Sequence, residues 1–197
     1  EPFGHLTSNN GDIEADLVLQ GPWRSIVIKG SARGAGIQLR GDQFSLAELN
    51  LKAPVEWADS SFRADDIQIS GKQLVINQRN GTQISGEEIR LEGTLVKRVN
   101  EPIRSSGRVR IQQGRFSTPD GSKVGENLAL NALLDTTVNQ DIGLSSAKGT
   151  LDIEQGQILW GKFFGDLKTQ RPAFDFDSDY IRAKDTIHLR RFALSVG

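Results

Sequence analysis

Cysteine is absent from this chain of 197 residues, and histidine occurs only twice. Without cysteine there are no disulfides and no thiolate metal ligands, an absence that fits an oxidising compartment as well as a reducing one. With His5 and His188 as the whole imidazole supply, a Ser-His-Asp triad or a two-histidine metal site lacks material. Positive charge is not in excess either: 24 Lys and Arg stand against 25 Asp and Glu. Nucleic-acid binding needs clustered basic residues in surplus, so nucleic acid is not an expected partner. No apolar run approaches the roughly 18 to 20 residues of a membrane-spanning helix. Composition, with 37% hydrophobic and 25% charged residues, indicates a soluble globular segment.

What the chain does have is alternation. In residues 65–95, Ile67 and Ile69, Leu74 and Ile76, and Ile89 and Leu91 fall on one side. Asp66, Gln68, Gln73, Asn77, Glu88, Arg90 and Glu92 fall mainly on the other. That period of two belongs to a half-buried strand. Gly71, Asn80-Gly81 and Gly86 punctuate the runs, and Asn-Gly between alternating runs is a strong hairpin signal.

The same grammar recurs elsewhere. Residues 12–19 alternate through Ile13, Ala15, Leu17 and Leu19. A run from Trp23 carries Ile26 and Ile28, and Gly30 ends it; Ile37 and Leu39 mark another. Phe44, Leu46, Leu49 and Leu51 read as a strand with a bulge, closed by Ala53-Pro54. Later runs hold Val109 and Ile111, then Leu128, Leu130 and Leu133, then Ile142 to Leu144, then Leu151, Ile153 and Ile158. The last lie in 173–183 and 186–196. One segment departs: Trp160, Phe163, Phe164 and Leu167 have the spacing of a helical stripe, which predicts about two helical turns near 160–168. About fifteen strands of roughly 5 to 8 residues exceed what one flat sheet holds, so the sheet must curl or fold over. The expected fold is all-β: one elongated, curled, mostly antiparallel sheet over 1–197, forming a single β-groove segment of a longer protein.

Candidate chemical motifs do not hold up. Asp175, Asp177 and Asp179 begin like a calcium loop, but Tyr180 replaces the turn glycine and Thr186 the bidentate glutamate. Gly30, Gly34 and Gly36 lack the Gly-Lys-Ser/Thr of a phosphate loop and read as turn glycines. Asn80-Gly81-Thr82 matches a glycosylation sequon, although a hairpin corner explains it better. Alternation places His188 on the polar face. No set of residues selects a reaction, so a non-enzymatic protein without cofactor or metal is expected.

Residues 83–95 (QISGEEIRLEGTL) and 149–164 (GTLDIEQGQILWGKFF), with Phe174-Asp-Phe176 and the alternating stretch from Tyr180 to Val196, resemble the AsmA-like family of Gram-negative envelope proteins, including its TamB and YdbH relatives. The resemblance implies a sheet bent into an open apolar groove, anchored at the inner membrane in the full-length protein and extending through the periplasm. Its implied role is to shield phospholipid acyl chains during transport to the outer membrane. The periplasmic β-grooves of lipopolysaccharide transport are similar in pattern and imply a different cargo.

On this reading the lipid-facing candidates are Ile13, Leu17, Leu19, Ile26, Ile28, Ile37, Leu39, Ile67, Ile69, Leu74, Ile76, Ile89, Leu91, Val109, Ile111, Leu151, Ile153, Ile158, Phe174 and Phe176. The expected partner is a phospholipid or another acyl-chain lipid. Two rival readings use the same residues. A closed β-sandwich for structure or adhesion would bury them as core, and a carbohydrate-active β-solenoid would need a cleft with converging carboxylates.

Overall fold

A run that alternates apolar and polar residues wraps its apolar groups all round a helix but gathers them on one side of a strand. The computed structural model describes residues 7–8, 11–21, 26–78, 80–139, 143–181 and 186–196; His5, Trp23, Ile142 and Ala183 lie outside the described residues. The chain forms β1 (Thr7–Ser8), β2 (Asp12–Gln20), β3 (Val27–Arg40), β4 (Phe44–Ala58), β5 (Ser61–Asn77) and β6 (Gln83–Lys97). It continues with β7 (Ile103–Ser117), β8 (Lys123–Asn139), β9 (Leu144–Trp160), β10 (Phe163–Asp166), α1 (Leu167–Gln170), β11 (Pro172–Ile181) and β12 (Thr186–Val196).

All twelve strands join one antiparallel sheet, which does not close. β3 to β9 follow in chain order as an up-and-down meander, continued by β11 and β12. At one border β1 and β2 share the outer edge of β3; toward the other, β10 and β11 share the far edge of β9, and β12 lies beyond β11. Ten strand positions therefore lie side by side, which at about 4.8 Å each makes a sheet roughly 43 Å across. The described residues form this one open sheet with no second one packed on it, and so do not take the sandwich layout.

The strands are fewer and longer than the spacing of glycines predicts: β3 to β9 run 14 to 17 residues. Gly30, Gly34, Gly71 and Gly86 lie inside strands rather than in turns. Their small size answers to packing. A Cβ on Gly71 would sit 2.9 Å from Leu46 Cδ1, and one on Gly86 would sit 2.8 Å from Ile111 Cγ2. Asn80-Gly81 does turn the chain between β5 and β6, with the Asn80 Oδ1 accepting from the Thr82 N–H at 2.9 Å. Asp59-Ser60 joins β4 to β5 with φ of 46° and 63°, the paired left-handed geometry of a two-residue hairpin. Ala53-Pro54 does not end a strand; Pro54 sits in β4 where the register with β5 skips from Lys52 to Val55, a place that tolerates a missing donor.

The expected bulge in β4 is one of a line that crosses the sheet. Glu48, Gln73, Gln113 and Asn127 take φ of 50°, 54°, 52° and 51° on four different strands, and Gly36 and Gly156 take φ of 63° and 131° on two more. Each marks a break in the ladders. An extra residue in a strand bends it and reverses which parity faces inward. On β5, Ile67 and Ile69 hand over to Leu74 and Ile76; on β7, Val109 and Ile111 hand over to Phe116. The described apolar core sits mostly in this bend: Ile37, Leu46, Leu74, Leu128 and Leu167 are each under 9% exposed.

Residues 160–167 do not form one helical stripe. Gly161 (φ 61°) and Lys162 turn the chain back on itself, and Phe163 and Phe164 pair with Trp160 and Leu159. Strand pairing covers the edge of β9 at Gln157–Trp160, which a helix would leave open. Only one helical turn follows, α1, where the Asp166 carboxylate accepts from the Lys168 N–H at 3.0 Å. Leu167, 4% exposed, is buried where α1 packs on β9.

Candidate functional site

One row of residues organises the sheet. Ile13, Gly34, Leu51, Ile69, Leu91, Val109, Ala132, Leu151, Phe174 and Leu194 are successive cross-strand partners from β2 to β12. Partners directly opposite share a face, so these ten positions form an unbroken apolar stripe. The next residue on each strand belongs to the other face: Glu14, Arg33, Lys52, Gln68, Glu92, Arg108, Leu133, Thr150, Asp175 and Ala193 form a second continuous row. Leu133, grouped with Leu128 and Leu130 by the sequence, therefore stands on the charged face, 45% exposed.

The other candidates follow from the same ladders. Ile89 and Ile111 are opposite one another, and Leu130 and Ile153 continue their row. Ile67 faces Gly93, and Phe176 faces Gly149. Leu17 and Gly30 share the row of Val55, while Leu19 and Ile28 share that of Trp57. Leu39 faces Leu46, and beyond the bend Ile76 faces Phe44 and Ile84 while Ile158 faces Gly125. Ile37 and Leu74 lie on this side too, but buried in the bend rather than open. Ile26 precedes β3 and has no place in the ladders. Residues that the candidate set omitted are Leu49, Leu51, Ile84, Phe116, Leu130, Leu134, Phe192 and Leu194. The signal for them was the change of apolar parity within a run.

The face curls about its glycines. A Cβ on Gly93 would lie 3.0 Å from Gly107 Cα, and one on Gly107 would lie 3.1 Å from Gly93 Cα. Apolar-side positions converge like this where neighbouring strands lean toward that side. Among the described residues no second sheet lies over the face, whose middle is half-buried and whose border strands are open. The molecule exposes 13638 Å², whereas a compact monomer of 21.6 kDa exposes about 9,200 Å². Leu194, Phe192, Leu189 and Ile187 on β12 are each more than half exposed, as are Ile13 and Leu19 on β2.

The opposite face is held by exposed ion pairs, Lys29 to Glu56 at 3.1 Å and Lys72 to Glu48 at 2.6 Å. Hydrogen bonding to Glu48 raises the Lys72 ammonium above its ordinary value. An open trough of about 680 Å³ crosses this face, floored by Gly93, Gly107 and Gly149 and flanked by Glu92, Arg108 and Asp135. Asp177 and Asp179 on β11 both hold Arg190, at 2.5 and 3.3 Å, and the Asp177 hydrogen bond raises the Arg190 guanidinium. The aspartate triplet is thus a strand carrying an ion pair. His188 is exposed opposite Asp179. Among the described residues no group of three or more His, Asp or Glu could hold a metal ion. No helix among them is long and apolar enough to cross a membrane.

No protein-family model matches the chain, and neither a curated protein nor a solved structure matches it.

Proposed function

We propose that the chain is a lipid-binding β-groove segment that covers acyl chains on its apolar face, keeps its charged face in water and carries out no covalent chemistry. The observation behind this reading is the unbroken apolar row from Ile13 to Leu194, more than half exposed at its ends, half-buried along its middle and with no second sheet of described residues over it. Large exposed apolar patches mark binding surfaces, and covering this one gains about 25 cal/mol per Å². The lining offers aliphatic and aromatic groups with no fixed charge in its central row, which suits hydrocarbon tails and reads headgroups poorly. The resemblance to AsmA-like proteins supplies the setting: a periplasmic bridge, anchored in the inner membrane in the full-length protein, that carries phospholipid toward the outer membrane.

Native mass spectrometry of the purified chain, with extraction of co-purified lipid, tests this directly. Near-stoichiometric phospholipid is the expected result, and lipid A in the extract would redirect the reading to lipopolysaccharide. A bare protein mass that persists with added fluorescent phospholipid would overturn it in favour of a structural or adhesive module.

A further inference from the structure

We infer that the groove holds its lipid crosswise, with a headgroup phosphate at the Lys97 ammonium and the acyl chains running toward the bend; this rests on the lipid-binding reading above. Among the residues paired in the ladders, the apolar side carries charge only at Lys97 on β6 and Lys123 on β8. They stand on opposite rims, Lys97 at the turn after β6 and Lys123 at the turn before β8. Their surroundings differ. Lys123 rests on an indole, its Nζ 4.2 Å from the Trp160 ring centroid, and beyond the bend the paired apolar-side positions of β4 to β9 hold no hydroxyl. Lys97 is half-buried and faces Phe62, which meets Trp57 edge-on at 6.3 Å. The Glu101 carboxylate turns to Arg98 and Arg104, at 3.7 and 3.9 Å. Among the described residues the ammonium keeps the Glu101 carbonyl, at 2.5 Å, and no carboxylate, which leaves N–H donors for an anionic oxygen.

Behind Lys97 the lining changes polarity row by row. Ser145 and Tyr180 continue its own row through Ile103 and Val138. The next row holds Ser105, Thr136 and Ser178, with the Ser105 and Thr136 hydroxyls 2.7 Å apart. Then comes the row of Gly93, Gly107 and Gly149, and after it the aliphatic row of Leu91, Val109 and Leu151. Cation, hydroxyls and hydrocarbon thus follow in the order in which a phospholipid presents its phosphate, ester oxygens and tails. From Leu95 to Ile89 the lining of β6 spans about 20 Å, room for the roughly 15 Å of chain that one leaflet contributes to a hydrocarbon core. The apolar stem of a lysine suits this rim, because it lies along hydrocarbon while the ammonium reaches water and phosphate. β6 to β9 have partners on both sides, so none of these groups depends on the borders of the sheet.

Titration with phosphatidylglycerol and with dioleoylglycerol, which has the tails but no phosphate, tests the assignment by native mass spectrometry. The unmodified chain should bind phosphatidylglycerol about tenfold more tightly, the scale of one charge-assisted hydrogen bond. Lys97→Gln should lose that preference and keep its dioleoylglycerol binding, which also shows that the variant folds. Lys123→Gln should keep both. Phosphatidylglycerol spin-labelled at its chain ends should broaden the amide signals of Ile84 and Phe116 and spare that of Ser145. Four results would each overturn the inference and leave the groove standing: equal binding of the two lipids, a preference that survives Lys97→Gln, a preference lost with Lys123→Gln, or broadening at Ser145. Saturable binding of glycerol phosphate, which has no tails, would likewise replace the lipid subsite with a plain anion site. If neither lipid binds, the groove reading fails as well.

Discussion

Gly93 and Gly107 are direct partners on β6 and β7, so close that a Cβ on either would lie about 3 Å from the other's Cα. Side chains there would have to push the two strands apart. Gly107→Val is expected to destabilise by about 2 to 3 kcal/mol through overpacking. Gly165→Ala, whose added carbon would meet Ile158 at an ordinary 3.4 Å, should stay within about 0.5 kcal/mol of the parent. Urea denaturation of both variants checks the contrast, and equal midpoints would remove the close approach as an explanation.

Leu128 and Leu133 lie five positions apart in β8 yet should respond differently to truncation. Leu128 is 6% exposed in the bend, over Gly156, and Leu128→Ala should cost about 2 to 4 kcal/mol. Leu133 is 45% exposed on the charged face, so Leu133→Ala should change the melting temperature little.

Val109 and Arg110 are adjacent and face opposite sides. Val109→Asp puts a carboxylate into the apolar row and should lower lipid occupancy about tenfold or more, because a charge set against hydrocarbon is costly. Arg110→Asp should leave occupancy unchanged. Equal losses in native mass spectrometry would place the lipid elsewhere.

Asp120 orders the turn between β7 and β8, accepting from the Thr118 hydroxyl, the Ser122 N–H and the Ser122 hydroxyl. With the Thr118 bond as the largest cause, these bonds lower its carboxyl from 3.8 to about 2. A depressed folded value means that the stabilisation is complete above pH 3.8 and is lost as pH falls toward 2. Side-chain carbon shifts followed by NMR should report a midpoint near 2, and Asp120→Asn should remove the step. A midpoint at the ordinary value would show the turn to be open in solution.

Arg190 is the extra residue of the β12 bulge and also carries an exposed charge. Arg190→Ala loses an exposed ion pair with Asp177, worth up to about 1 kcal/mol. Deleting Arg190 instead removes the extra residue while Arg191 stays opposite Asp177 and Leu189 opposite Ser178, so plain alternation keeps Ile187 and Leu189 on the apolar side. The deletion should therefore lower the melting temperature about as little as the substitution, and a much larger loss would show that the bulge itself is needed.

Some of this could be read without the fold. Alternation through Ile67 and Ile69 or Leu151 and Ile153 states strand and face at once, because neighbouring side chains of an extended backbone point opposite ways. The Asn80-Gly81 corner was equally legible, since few sequences suit that turn. The helical spacing of Trp160, Phe163, Phe164 and Leu167 misled because an unpaired edge of β9 at Gln157–Trp160 decides the matter, and no local pattern records it.

By itself the sequence determined an all-β chain with one apolar and one charged face, because each residue's side of a strand depends only on its neighbours. Only the tertiary structure decided that Gly71 and Gly86 lie within strands, that Leu133 faces outward, and that Ile13 and Leu194 end one row. Those outcomes depend on pairing between segments distant in the chain. There a bulge such as that at Gln73 reverses the faces of every residue beyond it.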